Sequence, residues 1–362
     1  MYEVAGALTP ESYERLATAV FVEMALAGIT TVGEFHYIHH QTGGVPYSDA
    51  NEMGHAVIRA ARAAGINIAL LDAGYFTAGF EDRPLHPVQT RFGDPNPEAW
   101  LDRVDSLRGS YDGHGDVVIG VAPHSVRAVP ASALSAVARR HERDTPIHIH
   151  VSEQPAENEE SIRATGLTPT GLLAHTGLLG SDTTLVHETH LTEDDITTIG
   201  SSGSAVCYCA TTERDLADGI GPARALAEAG ATLCAGSDSH AVIDMFEEAR
   251  GIEMHTRLAT GRRGNFAPEA LMASLTSIGS ASLGFPSPGL QVGAPADFAV
   301  IDTESSRLSG IQDATALDSI VFAATSADVS EVFVRGRRIV SNGQHEAWPE
   351  TKPVLEEMIR SR

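Results

Sequence analysis

The chain reads as an α/β protein: a (β/α)8 barrel expected to lack its first strand, followed by a small β-sandwich. Three observations predict this. Short β-branched runs alternate with Ala/Leu/Glu-rich helical stretches, which implies a parallel sheet. Polar residues stand at the C-terminal end of nearly every strand, where a barrel assembles its site, whereas a doubly wound sheet would gather them near one crossover. A helical pattern precedes the first strand, so the seven units look like an eight-unit barrel entered after its opening strand.

The predicted strands are 29–34, 66–71, 117–121, 146–151, 184–187, 205–208 and 232–236. Amphipathic helical stretches cover 10–27, ahead of the first strand, and then 50–64, 131–143 and 191–200, with Thr9, Ser48 and Thr192 as N-caps. After about Gly289 the texture becomes strand-rich and Gly-punctuated. Strands are expected at 296–302, 320–322, 329–334 and 338–340, with Asn342-Gly343 as a turn. The expected organisation is a barrel over 1–288, a small β-sandwich domain over 289–345, and a helical tail over 346–362 started near a proline.

At 362 residues and 42% hydrophobic composition, the chain can bury one large core or two smaller ones. The 25 Lys+Arg against 48 Asp+Glu leave a formal charge of -23, which argues against nucleic acid or an anionic membrane as partner. No run of about twenty apolar residues and no basic-plus-apolar leader is visible, so a cytoplasmic protein is expected. Cys207, Cys209 and Cys234 suit a reducing compartment and read as small buried residues rather than metal ligands.

The chemistry starts on the fourth strand. In Ile147-His148-Ile149-His150-Val151-Ser152-Glu153 the aliphatic residues share one face and His148, His150 and Ser152 the other. A histidine near the strand end can ligate a catalytic metal, and a carboxylate three residues on can reach the same reacting atom. From this segment alone, a buried histidine with a helix-capping glutamate explains the residues equally well. The pattern recurs, however: His187 ends the next strand, in Val186-His187-Glu188-Thr189-His190, and Asp238 follows the last, in Gly236-Ser237-Asp238-Ser239-His240. An aspartate at a barrel mouth can both ligate a metal and accept a proton from water whose pKa the metal lowers. As an ordered set on successive strands, these residues point to a metal-dependent hydrolase.

These segments resemble the amidohydrolase superfamily, in its aminohydrolase branch, where a His-x-x-Glu replaces a carbamylated lysine. Within that branch the likeness is to enzymes that deiminate N-formimino-L-glutamate in histidine degradation. It runs through Gly33-Glu34-Phe35-His36-Tyr37-Ile38-His39-His40, Val121-Ala122-Pro123-His124-Ser125-Val126-Arg127, 148–154, 186–191, Thr211-Thr212-Glu213, Asp218-Gly219 and 236–240. The resemblance implies a single divalent metal, zinc, held by His150 and Asp238 with His187 beside it. It makes Glu153, His187 and Asp238 the catalytic group, with Glu153 moving the proton. Tyr37, His124 and Arg127 would face a small dicarboxylate substrate, and Arg127 offers the planar bidentate donor that a carboxylate calls for. His148 would lie one layer deeper, and His36, His39 and His40 would be loop or supporting residues. The implied reaction is zinc-dependent hydrolysis of N-formimino-L-glutamate to N-formyl-L-glutamate and ammonia, by a homo-oligomer, a dimer.

The departures from the family pattern carry their own expectations. Two metal ligands normally come from an early His-x-His strand, and no histidine precedes Gly33. The chain opens in what resembles the helix after that strand, so it is expected to be N-terminally truncated and short of ligands, which leaves the activity of the chain by itself open. Cys209-Ala210-Thr211 stands where a proline commonly precedes the Thr-Thr pair, and Glu188 replaces a small residue. Two other readings follow: a related deaminase of a purine or other heterocycle, which should lack Arg127 and the Tyr37 region, and a non-catalytic remnant acting as a binding protein.

Overall fold

The computed structural model describes residues 2–140, 142, 144–285 and 289–360. Seven parallel strands run in chain order: β1 (Thr31–His36), β2 (Asn67–Gly74), β3 (Val117–Pro123), β4 (Ile147–Val151), β5 (Thr183–His187), β6 (Ala205–Tyr208) and β7 (Thr232–Ala235). Each pairs in parallel with the next, and β1 and β7 are the two edges of a sheet curled into a half-barrel. The strand count agrees with the sequence pattern, and β6 has the expected bounds. β2 is buried along its whole length, as a strand covered on both faces must be.

Helices cover the outer face of the sheet. Pro10–Leu26 starts with a capping box in which Thr9 and Ser12 exchange side-chain and backbone bonds, and Thr192 does the same with Asp195 at the head of Glu193–Ser202. Ser48 is not a cap: Glu52–Ala64 begins after Asn51, whose side chain is committed to the Arg103 carbonyl 3.1 Å away. The helix expected over 131–143 spans Ala131–Arg140, and His141 and Arg143 lie outside the described residues. The central core joins strand residues such as Ile68, Leu70, Ile149 and Leu185 to helix residues such as Val22, Ile58, Trp100 and Leu134.

A separate four-stranded antiparallel sheet follows, ordered β11-β10-β9-β8: β8 (Phe298–Ile301), β9 (Val329–Val334), β10 (Arg337–Ser341) and β11 (Gln344–His345). Its hairpins turn at Arg335-Gly336 and Asn342-Gly343, where all four residues have positive φ, the conformation that matches strand twist. The strand expected at 320–322 is instead part of the helix Ala316–Ala323. A short apolar run does not reveal its period, and tertiary packing decides. Here Val321 is buried, and the Arg250 guanidinium donates to the Phe322 and Ala324 carbonyls at the helix end, both at 3.0 Å. Gly65 docks this part onto the barrel. Its φ of 80° ends Glu52–Ala64, and a Cβ there would meet Ile339 at 2.8 Å. The tail is the helix Trp348–Arg360; Ser361 and Arg362 lie outside the described residues, as do Pro286–Pro288 at the expected domain boundary. Among the described residues, no helix is long and apolar enough to cross a membrane.

Candidate active site

At the C-terminal mouth of the half-barrel, β4, β5 and β7 deliver His150, His187 and Asp238, whose ligand atoms lie within 4.8 Å of one another. The backbone there is strained. Ser152, His187, Glu188, Asp238 and His240 all have positive φ between 43° and 77°, a region non-glycine residues occupy at a cost of about 1–3 kcal/mol each. Such strain at the ends of β4, β5 and β7 turns side chains from the strand direction into the mouth.

Each imidazole is oriented from behind. His150 Nδ1 donates to the His124 carbonyl at 2.8 Å, leaving Nε2 as a free lone pair, and burial keeps the ring neutral by lowering its pKa. His187 Nδ1 meets Glu213 Oε1 at 3.4 Å, while its Nε2 lies 4.0 Å from both Glu153 Oε1 and Asp238 Oδ2. Burial works against a charged His187. The Glu213 bond and the Glu153 and Asp238 carboxylates outweigh it, so the net shift is upward. Thr212 fixes Asp238 from both sides, donating to the Ser237 carbonyl and accepting from the Ser239 N–H, each at 3.1 Å. The residues present therefore fit a divalent cation: two imidazoles and a carboxylate converge, and the rear nitrogen of each imidazole is engaged.

The mouth opens into a cavity of about 1590 Å³ bordered by Tyr37, His124, His150, Glu153, His187 and Asp238. It is larger than the usual ligand pocket of roughly 300–1,000 Å³ because it runs on into the gap between the β1 and β7 edges. The Tyr37 and His124 rings meet edge-on at 5.9 Å, and Phe35 packs on His150 at 4.3 Å. Arg127, expected to face the substrate, donates from Nη2 to Glu153 Oε2 at 3.2 Å, and its Nε lies 3.7 Å from Glu157 Oε1. His148 is committed deeper in the barrel, its Nε2 donating to the Ser282 carbonyl at 2.8 Å.

His36, His39 and His40 belong to a buried scaffold. His36, His39 and Asp72 also bring ligand atoms together, but the Asp72 carboxylate is taken by both Nη atoms of Arg103, at 2.7 and 2.8 Å, and by Trp100 Nε1 at 2.9 Å. A guanidinium already supplies the cation there. His39 Nε2 donates to the Ala73 carbonyl at 2.8 Å, tying the loop after β1 to the end of β2. Sequence reasoning missed Glu157 and the supporting parts of Glu213 and Thr212. The last two sit in the Thr211-Thr212-Glu213 segment it had singled out, while Glu157 carried only one signal, four residues beyond Glu153 at the start of the helix Pro155–Thr165.

Fold and site together define a barrel hydrolase, and the chain belongs to the amidohydrolase family, whose model matches residues 2–339; it is a hydrolase class acting on non-peptide C–N bonds. It is 34% identical to formimidoylglutamate deiminase of Pseudomonas aeruginosa over 95% of this chain and 77% of that protein. An 8-oxoguanine deaminase of the same organism is 31% identical over 86% of this chain and 69% of its own length. A 5-methylthioadenosine/S-adenosylhomocysteine deaminase of Halobacterium salinarum is 32% identical, and the match spans 73% of this chain and 64% of that protein. Among solved structures, an amidohydrolase from Brucella melitensis superposes with a TM-score of 0.92 at 33% identity, covering 100% of this chain and 81% of that one. An adenosine deaminase from Xanthomonas campestris with bound zinc shares the fold at a TM-score of 0.83 and 21% identity, over 99% of this chain and 77% of that one.

Proposed function

We propose that the site hydrolyses the formimino group of N-formimino-L-glutamate, giving N-formyl-L-glutamate and ammonia, with zinc as the metal. The observation that carries this reading is a guanidinium, Arg127, placed 3.2 Å from Glu153 beside the His150, His187 and Asp238 cluster. A cation at the hydrolytic centre suits an acidic substrate better than a purine. The likeness to the Pseudomonas deiminase over nearly the whole chain supports it.

His150, His187 and Asp238 would hold the metal, which supplies Lewis acidity and an activated water. The chain's own groups do the rest. Asp238 accepts a proton from the attacking water and Glu153 delivers one to the imine nitrogen; Asp238 then returns its proton to the resulting amine while Glu153 takes the hydroxyl proton, so that the C–N bond breaks, the formyl carbonyl forms and ammonia leaves. Arg127, His124 and Tyr37 orient the carboxylates. The reading places the chain in the cytoplasm, consistent with three free thiols.

The test is ammonia release from N-formimino-L-glutamate by the zinc-loaded chain, with E153Q as control and chelator added in parallel. Turnover lost in E153Q and on chelation supports the reading. Release from 8-oxoguanine or 5′-methylthioadenosine but not from N-formimino-L-glutamate would establish a purine-type deaminase instead, and stoichiometric zinc without turnover of any of the three would point to a binding protein.

A further inference from the structure

The ion pair between Arg127 and Glu153 joins two groups that the proposed reaction needs apart. One should hold a substrate carboxylate and the other should move a proton. A guanidinium satisfied by an internal carboxylate offers less to a ligand, and a carboxylate engaged by a guanidinium has one oxygen fewer free to meet the substrate. The surroundings of Arg127 are asymmetric. On its Nη edge, Glu153 is partly open, with its side chain 15% exposed. On its Nε edge, Glu157 is 1% exposed and fixed, because its Oε2 accepts the Glu153 backbone N–H at 3.1 Å. Glu157 Oε1 and Arg127 Nε face each other at 3.7 Å, and neither has another partner among the described residues. The arginine, itself about one-third exposed, is thus anchored on one edge and exchangeable on the other.

We propose that Arg127 is a two-position arm, positioned by Glu157, and that a carboxylate ligand displaces Glu153 from its Nη edge. Binding of an acidic substrate then frees the proton-carrying group, while a ligand without a carboxylate leaves Glu153 latched. Glu157 is the new positioning residue: it keeps the Nε edge in place while the Nη edge changes partner. The contact between Arg127 and Glu153 acts as a specificity filter, because only a competing anion opens it. The inference rests on the acidic-substrate reading, but its test needs no turnover.

The test is calorimetric titration of glutarate into the full chain and into its E153Q, E157Q and R127M variants. Removing the competitor in E153Q is expected to tighten binding about threefold or more, the size of a partly exposed ion pair. E157Q keeps the competitor and loosens the anchor, so it should bind glutarate no more tightly than the wild type, and R127M should bind it at least about tenfold more weakly. Equal tightening in E153Q and E157Q would mean a general charge effect and overturn the arm. So would unchanged affinity in E153Q, or in R127M, or no binding by any of the four proteins. If the arm behaves as expected while N-formimino-L-glutamate yields no ammonia, the deimination reading alone fails.

Discussion

Glu213 Oε1 lies 3.4 Å from His187 Nδ1 and also accepts the Cys209 backbone N–H at 2.9 Å, so one carboxylate from the segment after β6 sets the tautomer of an imidazole at the end of β5. With Nδ1 engaged, His187 presents Nε2 to Asp238 and Glu153. This carboxylate-histidine pairing is what turns a buried histidine into a directed one.

E213A is therefore expected to weaken metal binding roughly 10- to 100-fold, the usual effect of losing a partner behind a ligand. Competition against a zinc indicator dye measures it. Unaltered affinity would show that Glu213 merely caps the turn at Cys209.

Arg103 is the cation of the buried scaffold behind the site, bonded to Asp72 and, through Nη2, to Asp94 at 2.8 Å. All three residues have nearly inaccessible side chains. R103M leaves two buried carboxylates without their counter-charge, and the expected loss is about 3–5 kcal/mol of unfolding free energy. Urea denaturation followed by far-UV circular dichroism is the check, and a loss under about 1 kcal/mol would contradict a scaffold held together by charge.

Glu248 gives a pH signature. It is fully buried, and burial pushes its carboxyl up to about 7 from 4.5, despite the hydrogen bonds it accepts from the Thr211 N–H and hydroxyl. A carboxyl with a raised pKa binds its proton more tightly in the folded state. Its contribution is therefore complete below pH 4.5 and lost as pH climbs to about 7, a change of about 3 kcal/mol. E248Q, neutral at every pH, should flatten this part of the stability profile measured by denaturation at a series of pH values. A wild-type-like slope in E248Q would assign the dependence to other groups.

Much of this was legible along the chain. Strand positions and the order of their polar ends follow from period-two patterns and from local turn chemistry, which need no distant partner; hence 205–208 and 329–334 were read with the bounds the structure has. His150, His187 and Asp238 were legible for the same reason, since each closes or follows a recognisable strand. Short apolar runs were not, and 320–322 became helix because Arg250, about seventy residues earlier in the chain, engages the carbonyls at its end.

The sequence by itself determined the repeating strand-helix order, the residues at the strand ends and the acidic charge, all properties of neighbouring residues. Only the tertiary structure decided which carboxylate meets which cation or imidazole. Arg127 and Glu153 stand 26 positions apart, as do His187 and Glu213, and curling of the sheet brings each pair together. Hydrogen bonds and ion pairs act over a few ångströms of space regardless of chain separation, so their partners are chosen by the fold and not by the local pattern.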